Sequence, residues 1–232
     1  MNTVELDHPA KIHEVDVRNE EFQLREVKFV DPAIMGRELI EALGYHPADD
    51  YIVLGYHPDG ALEEVGLETR IELVGRRRED SFFVNRADET VNFVIDSVRL
   101  TWTQLIATGL TIKLLARVDV HKIDLFQLFD DAPPKLIDDE DRVDLRHRGV
   151  EHFITKPAID VDITVNEKTV PIMRGRRTGL EIKTAAINAG VNIQLTFTLS
   201  EDKPGGRIIG DTDTVYIKGG EAFLAIDDHD DS

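Results

Sequence analysis

Apolar residues occupy every second position in several short segments of the chain, including 91–95 and 161–165. A period of two residues is typical of strands that are buried on one face. Elsewhere the apolar residues stand three and four positions apart, which is the period of an amphipathic helix. Positions three, six and seven after Gly36, Gly109 and Gly179 are apolar, so the pattern predicts three helices of about three turns each.

Residues with helix-end preferences flank these predicted helices. Thr178 and Glu181 have the spacing of a capping box, in which the two side chains satisfy backbone N–H groups of the first turn. The Asp-Pro pair at 31–32 predicts the start of the first helix, because proline is favoured at the first helical position. Gly44 and Gly190 predict the ends of the first and third helices, because glycine readily adopts the left-handed conformation that closes a helix.

A repeat with an offset of 70 positions organises the chain. Segments 108–113 and 178–183 are identical at five of six positions, and the same offset relates Gly149 to Gly219. A weaker third copy lies upstream, where Gly36 takes the place of the first glycine of the later segments. Self-similarity at a fixed offset predicts three modules of about 70 residues each.

Each repeat has the predicted order β-β-α-β-β, with a short extra strand near 207–209 and a hairpin turn at 219–220. One helix laid across a small mixed sheet buries the apolar faces of both. The sequence therefore predicts the α+β class, with three tandem β-grasp domains. A single large α/β domain would need parallel strands that alternate with helices, and the paired strands between the helices argue against it.

The predicted boundaries follow the repeat. They give an N-terminal arm over 1–20, three domains over 21–88, 89–158 and 159–227, and a C-terminal tail over 228–232. The junctions span only a few residues, so we expect neighbouring domains to touch. The arm has loosely alternating apolar residues, which fit either a disordered segment or a strand added to a neighbouring molecule.

Charge excludes several classes of function. The chain of 232 residues has 27 Lys and Arg against 45 Asp and Glu, a formal net charge of −18. Such an excess repels phosphate groups, so neither nucleic acid nor an anionic membrane is expected as a partner. Cysteine is absent, which excludes disulfides and thiolate chemistry. We expect no signal peptide and no membrane span, and hence a cytoplasmic location.

Two acidic clusters resemble metal sites in composition only. His229 stands among four acidic residues, and four consecutive acidic residues fill 138–141. A flexible tail would lose entropy in bringing three or more ligands together around a metal. The run 138–141 lacks the spaced ligands and the turn glycine of a calcium loop. A solvated tail and a charged turn are therefore predicted, and no metal or cofactor is expected.

Basic residues form small islands in this acidic chain. One island is the run 76–78, and the other consists of Arg174, Arg176 and Arg177. Because the whole chain is strongly negative, these arginines are predicted to form salt pairs with neighbouring domains or with an acidic partner.

Two lysines and the only tryptophan also stand out. Lys113 and Lys183 occupy matching helix positions, where we expect them to be exposed and to keep the helices soluble. Trp102 is expected in the core or in packing between domains. The chain lacks the Gly-x-Ser-x-Gly and His-Glu-x-x-His motifs of hydrolases and metalloproteases, so no enzymatic activity is expected.

The third repeat carries a family likeness. Its segments 161–168, 178–186, 209–213 and 223–228 together resemble the bacterial multiubiquitin family. The resemblance covers about 140 residues from Val91 onward and is looser upstream. Members of that family contain two or three ubiquitin-like β-grasp units and are encoded beside E1-like, E2-like and peptidase components. The resemblance implies a protein modifier that is attached through its C-terminus to target proteins, in systems linked to antiphage defence.

The C-terminal tail departs from the diglycine ending of eukaryotic modifiers, in which glycines thread a narrow channel to the adenylating site. Gly219 and Gly220 lie too far from the terminus to serve in this way. By resemblance, the tail at Asp227, Asp228 and His229 is the segment that enzymes handle. Trimming by a peptidase would make a residue near His229 the activated carboxylate, whereas an untrimmed chain would use Ser232.

The sequence thus favours a conjugated modifier and not an enzyme. The expected partners are an E1-like activating enzyme, an E2-like conjugating enzyme, a peptidase of the same operon and the target proteins. The alternative is a non-conjugated tandem scaffold that forms homo-oligomers through its strand edges or its N-terminal arm.

Overall fold

The protein has the α+β class that the sequence predicts. The computed structural model describes residues 11–75, 81–146 and 150–227. Within these ranges it contains three α-helices and mixed sheets, in which parallel and antiparallel strand pairs both occur. None of the described helices is long and apolar enough to cross a membrane.

The described elements follow one another as three similar sets, each with seven strands and one α-helix. The first set contains β1 (His13–Arg18), β2 (Leu24–Phe29), β3 (Ala33–Met35), α1 (Gly36–Ala42), β4 (Tyr51–Tyr56), β5 (Leu62–Val65), β6 (Arg70–Glu72) and β7 (Ser81–Arg86). The second set contains β8 (Val91–Ile95), β9 (Val98–Trp102), β10 (Ile106–Thr108), α2 (Gly109–Leu115), β11 (Ile123–Leu128), β12 (Lys135–Ile137), β13 (Arg142–Asp144) and β14 (Glu151–Pro157). The third set contains β15 (Asp160–Val165), β16 (Lys168–Met173), β17 (Gly175–Thr178), α3 (Gly179–Asn188), β18 (Thr198–Glu201), β19 (Ile208–Ile209), β20 (Thr214–Ile217) and β21 (Ala222–Ile226). A 3₁₀ turn at Ala48–Asp50 precedes β4.

The order β-β-α-β-β predicted for each repeat is incomplete. It places two strands after the helix where the structure has four, and it omits a short strand directly before each helix, namely β3, β10 and β17. These strands have only three or four residues, so they show no clear alternation. They exist because they pair with other short strands, β3 with β6 and β17 with β20. The extra strand predicted near 207–209 is present as β19.

The N-terminal arm predicted over 1–20 is wrong for its second half. Residues 13–18 form β1, which pairs antiparallel with β2 and parallel with β7. Val15 and Val17 point into the core and are buried. Their alternation was the correct signal for a strand within the chain's own sheet. Residues 1–10 lie outside the described residues.

The three helices begin at the glycines on which the repeat was aligned. A Cβ atom at Gly36, Gly109 or Gly179 would collide with a backbone carbonyl oxygen of Gly66, Asp138 or Gly210 respectively. This close approach of a loop to the first turn explains why glycine recurs at this point.

The helix ends agree only in part with the sequence predictions. The capping box of α3 is present, since the Thr178 hydroxyl accepts from the Glu181 N–H and the Glu181 carboxylate accepts from the Thr178 N–H. Gly44 and Gly190 follow α1 and α3 with φ of +82° each, as predicted. Asp31 does not cap α1, which starts after β3, and α1 and α2 have seven residues, fewer than three turns.

The described chain forms two compact units: Met1–Ala107 with Val143–His152, and Thr108–Arg142 with Phe153–Ser232. In the first unit, seven strands lie in the order β2-β1-β7-β4-β5-β9-β8. Strands β5 and β9 pair in parallel where Leu62 meets Leu100.

One core of this unit joins α1 to the strands, through residues that include Leu39, Val53 and Phe82. Trp102 is fully buried and packs against the rings of Phe22 and Phe83, which confirms its predicted place in the core. Phe22, Tyr56, Phe83 and Trp102 are hereafter the aromatic cluster.

In the second unit, five strands lie in the order β16-β15-β21-β18-β19. The central pair, β15 and β21, is parallel, and the other pairs are antiparallel. Helix α3 packs over this sheet, and Ile182 shares a core with Ile163 and Phe223. Strands β12, β11 and β14 lie side by side in the same unit.

Two further predictions for this unit need correction. The strand predicted over 193–199 is mostly a loop, because β18 begins only at Thr198. Gly219 and Gly220 do not form a hairpin turn: β20 pairs with β17 and β21 with β15 and β18, so the two glycines link strands of different sheets.

Candidate functional site

The C-terminal strand β21 lies in the centre of its sheet. It pairs in parallel with β15 and antiparallel with β18, and its side chains Phe223 and Ala225 are buried in the core. The strand ends at Ile226, and Asp227, the next residue, is exposed. The acidic tail therefore begins directly where a firmly paired strand ends.

Of the four residues predicted to form the processing and conjugation segment, the structure describes one. Asp227 lies directly after β21, the central strand of the five-stranded sheet. Asp228, His229 and Ser232 lie outside the described residues, as do the arginines at 76–78. The structure therefore describes Asp227, hereafter the root of the tail, and the surface around it.

Three exposed apolar side chains lie on the outer face of the sheet beside this root. Leu224 and Ile226 of β21 are exposed, and so is Ile208 of β19. Ser200 of β18 stands opposite both Leu224 and Ile208 in the strand register, so the three strands form one surface, hereafter the outer patch. Exposed apolar side chains grouped in this way are typical of protein-binding surfaces. The sequence signal for the patch was the unbroken apolar run of the last strand.

Both helix lysines are buried, and the prediction that they are exposed is wrong. The Lys113 side chain has no exposed surface, and its Nζ donates to Oδ1 of the equally buried Asp139 at 2.9 Å. Lys183 is also buried. Its Nζ donates to the carbonyl oxygens of Leu195 and Phe197 and pairs with Asp211. A buried ammonium group requires such partners, and none of them is close in sequence.

The acidic run 138–141 forms the turn between β12 and β13, as predicted, but it is not solvated throughout. Asp139 Oδ2 also accepts from Nε of Arg176 at 2.7 Å. Asp138 pairs with Lys218 at 2.8 Å and accepts weakly from the Tyr216 hydroxyl at 3.4 Å. These carboxylates are therefore neutralised by cations of the same unit. The described residues contain no group of three or more His, Asp or Glu that could hold a metal ion.

A third acid joins the same network. Asp124 of β11 is buried and forms a two-point contact with Arg174, whose Nη2 lies 2.5 Å from Oδ2. Arg177 donates to the carbonyl oxygens of Met173 and His121. The predicted salt pairing is thus confirmed for Arg174 and Arg176. The network is hereafter the ionic cluster: Lys113, Asp124, Asp138, Asp139, Arg174, Arg176, Tyr216 and Lys218.

The phenol of Tyr216 belongs to this cluster, and its surroundings change its pKa. Burial raises the pKa of Tyr216 above its ordinary value, and the carboxylates of Asp138, Asp139 and Asp124 raise it further. No local pattern in the sequence predicts this arrangement, because Tyr216 and Asp138 are 78 positions apart. The cluster is well suited to holding chain segments together.

The comparisons with known proteins bear on the second element set. Residues 91–158 match the family model described as Multiubiquitin. The match covers less than a third of the chain, and it falls on the second repeat, whereas the quoted sequence likeness lies mainly in the third. A comparison with curated proteins finds no match. Over residues 91–158, the resemblance to the multiubiquitin family is confirmed.

Proposed function

We propose that this protein is a bacterial ubiquitin-like modifier made of three tandem β-grasp domains, over 13–88, 89–158 and 159–227. The repeated set of seven strands and one helix supports this division. So does the strand order, since β2-β1-β7-β4-β5 and β16-β15-β21-β18-β19 place equivalent strands in equivalent positions. In both sheets the first strand of the set runs parallel to the last. The first domain starts at β1 instead of residue 21, because β1 completes its sheet.

The proposed activity lies in the C-terminal carboxyl group. An E1-like enzyme would let this carboxylate attack the α-phosphate of ATP, which forms an acyl-adenylate and releases pyrophosphate. A nucleophile on an enzyme would then displace AMP and form an acyl–enzyme bond. A nucleophile on the target protein would finally displace the enzyme's nucleophile and form the new acyl bond. The observation that carries the proposal is the exposed Asp227 at the end of the central strand, because the chain reaches the surface at this residue.

We expect such enzymes to bind the outer patch. Leu224 and Ile226 lie on the strand that leads into the tail. A partner that covers them would therefore bind within a few residues of the segment on which it acts. Apolar contacts that become fully buried at the centre of an interface usually carry most of the binding energy.

A reconstitution with ATP and the E1-like enzyme that the proposal requires tests the proposal. The full chain should form a covalent adduct, and a chain that lacks 227–232 should form none. A variant with Asp49→Asn, an exposed acid of the first unit, should react like the full chain and serves as the charge control. An absence of adduct with the full chain, or equal reaction of the shortened chain, would contradict the proposal.

A second comparison tests the outer patch. Leu224→Arg should slow adduct formation about tenfold or more, the usual effect of losing one central apolar contact. Leu180→Arg, which alters an equally exposed leucine on α3, should react normally. Both variants should unfold at the temperature of the parent, because both side chains lie on the surface.

The scaffold alternative has less support from the structure. Part of the arm that was to bridge molecules is β1, which is already paired on both sides. The edge strand β16 contains Pro171, which has no N–H group to offer to an added strand. A lack of adduct together with a mass that rises with protein concentration in light scattering would favour the scaffold.

A further inference from the structure

Asn166 lies at the turn between β15 and β16, in the left-handed conformation with φ of +48°. Asparagine adopts this conformation more readily than most residues. Its side chain also forms hydrogen bonds outside the turn. It reaches across to Ala225 of β21, which is 59 positions away in sequence and two residues before Asp227.

The contact continues the parallel ladder between β15 and β21. The Thr164 N–H donates to the Glu221 carbonyl at 2.9 Å, and the Asn166 N–H donates to the Phe223 carbonyl at 3.0 Å. Beyond this point the chain turns away at Glu167, so β15 has no further backbone group to offer to Ala225.

The amide of Asn166 takes the place of the missing peptide group. Its Nδ2 donates to the Ala225 carbonyl at 2.9 Å, and its Oδ1 accepts from the Ala225 N–H at 2.8 Å. One side chain therefore satisfies both backbone groups of a residue near the strand end. Unpaired groups at this place would favour fraying of the strand.

We propose that Asn166 is a positioning residue that clamps the last strand at Ala225 and so fixes the point at which the acidic tail leaves the fold. The clamp itself is a property of the structure. Its consequence, that the enzymes meet a tail beginning at Asp227 and not earlier, rests on the proposed function.

The equivalent turns of the other element sets differ. After β8 the position is held by Asp96, with φ of +47°. A carboxylate accepts hydrogen bonds but does not donate them, so it cannot form the same two-sided contact. After β1 it is held by Asn19, whose Oδ1 accepts from the N–H groups of Glu21 and Gln23 in its own turn. The set that precedes the tail thus has a side chain able to clamp its last strand.

Amide hydrogen exchange tests the clamp directly. Asn166→Gly keeps the left-handed backbone without strain and removes the amide, whereas Glu167→Gly makes the same change at the next residue, with φ of +64° and an exposed side chain. In Asn166→Gly, exchange at Ala225 should be about 30-fold faster, as expected for the loss of two ordinary hydrogen bonds. Exchange at Thr164, earlier in the ladder, should not change. Equal exchange at Ala225 in both variants would overturn the proposal.

Limited proteolysis tests the position of the tail. A protease that cuts before aspartate should cleave the bond between Ile226 and Asp227 several times faster in Asn166→Gly than in the parent or in Glu167→Gly. Asn166→Asp should fall between Asn166→Gly and the parent, because it keeps the acceptor for the Ala225 N–H but loses the donor to the Ala225 carbonyl. Unchanged cleavage in both Asn166 variants would contradict the assigned tail start.

The reconstitution with the E1-like enzyme separates this inference from the proposed function. If the parent forms no adduct while Ala225 exchange still depends on Asn166, the modifier function fails and the clamp stands. If the parent forms an adduct but the exchange rate at Ala225 does not depend on Asn166, the proposed function stands and the clamp is wrong.

Discussion

The aromatic cluster of the first unit and the ionic cluster of the second hold chain segments together by opposite chemistry. Around Trp102 the contacts are apolar rings and a parallel strand pair between β5 and β9. Around Asp139 they are charged groups, of which Lys113 and Asp139 have no exposed surface. Apolar burial tolerates changes of salt and pH, whereas a buried ion pair depends on every member being present and charged. The contacts between the first and second element sets therefore differ from those between the second and third in what disrupts them.

The largest effect is expected at the aromatic cluster. Trp102→Ala should lower the free energy of unfolding by about 4 kcal/mol, since it leaves a cavity between Phe22 and Phe83 that the backbone cannot fill. Trp102→Phe, which keeps a ring, should lower it by only about 1–2 kcal/mol. Urea unfolding followed by circular dichroism measures both, and the two losses should be the same at low and high salt. A strong dependence on salt would contradict the assignment.

The next largest effect is expected at Asp139. Asp139→Ala should cost about 3 kcal/mol, because it leaves the Lys113 ammonium buried and unpaired. Asp211→Ala is the matched control at the other helix lysine. It should cost less than about 1 kcal/mol, because the Asp211 side chain is 53% exposed and Lys183 keeps two carbonyl partners.

A double variant sharpens this prediction. Lys113→Met added to Asp139→Ala should recover part of the loss, because it removes the uncompensated charge. Urea unfolding of the four proteins measures the coupling. Additive losses would show that Lys113 and Asp139 do not depend on each other.

Raised pH should weaken the ionic cluster through Tyr216. Its pKa is raised in the folded chain, so folding stabilises the protonated phenol. This stabilisation is complete below the unfolded pKa of about 10 and is lost as the pH rises above it. Between about pH 10 and 11.5 the parent should lose stability more steeply than Tyr216→Phe, by at most about 1.4 kcal/mol per pH unit. Parallel stability curves for the two proteins would contradict the role of the buried phenol.

The smallest effect is expected at the rim of the ionic cluster. The Lys218 side chain, which pairs with Asp138, is 51% exposed. Lys218→Gln should therefore cost about 0.5 kcal/mol at low salt, and the difference should vanish near 1 M NaCl, where the screening length is about 3 Å. A loss that persists at high salt would place Lys218 among the buried members of the cluster.

The sequence predicted features that depend on neighbouring residues. The start of α3 at Gly179, the capping box at Thr178 and the alternation in β15 could all be derived from short segments. Prediction from the sequence failed for residues whose surroundings are formed by distant parts of the chain. Lys113 follows the buried Ile112 on the helix and meets its partner 26 positions later, so no local pattern marks it as buried.

The candidate site likewise has one feature that the sequence predicts and one that it does not. The place where the last strand ends could be predicted from the apolar run that precedes Asp227. The clamp by Asn166 could not, because its side chain bonds to a strand 59 positions away. A sequence shows that Asn166 fits a turn, but only the fold shows that the turn faces Ala225.

Intact mass spectrometry of this protein, produced together with the E1-like, E2-like and peptidase components that the proposed function requires, tests the central claim most directly. The account predicts species in which the chain, whole or shortened within 227–232, is joined to a second protein with the loss of one water. It also predicts that these species disappear when 227–232 are deleted. If every species has the mass of the free, unmodified chain while these added enzymes are active, the protein is not a conjugated modifier.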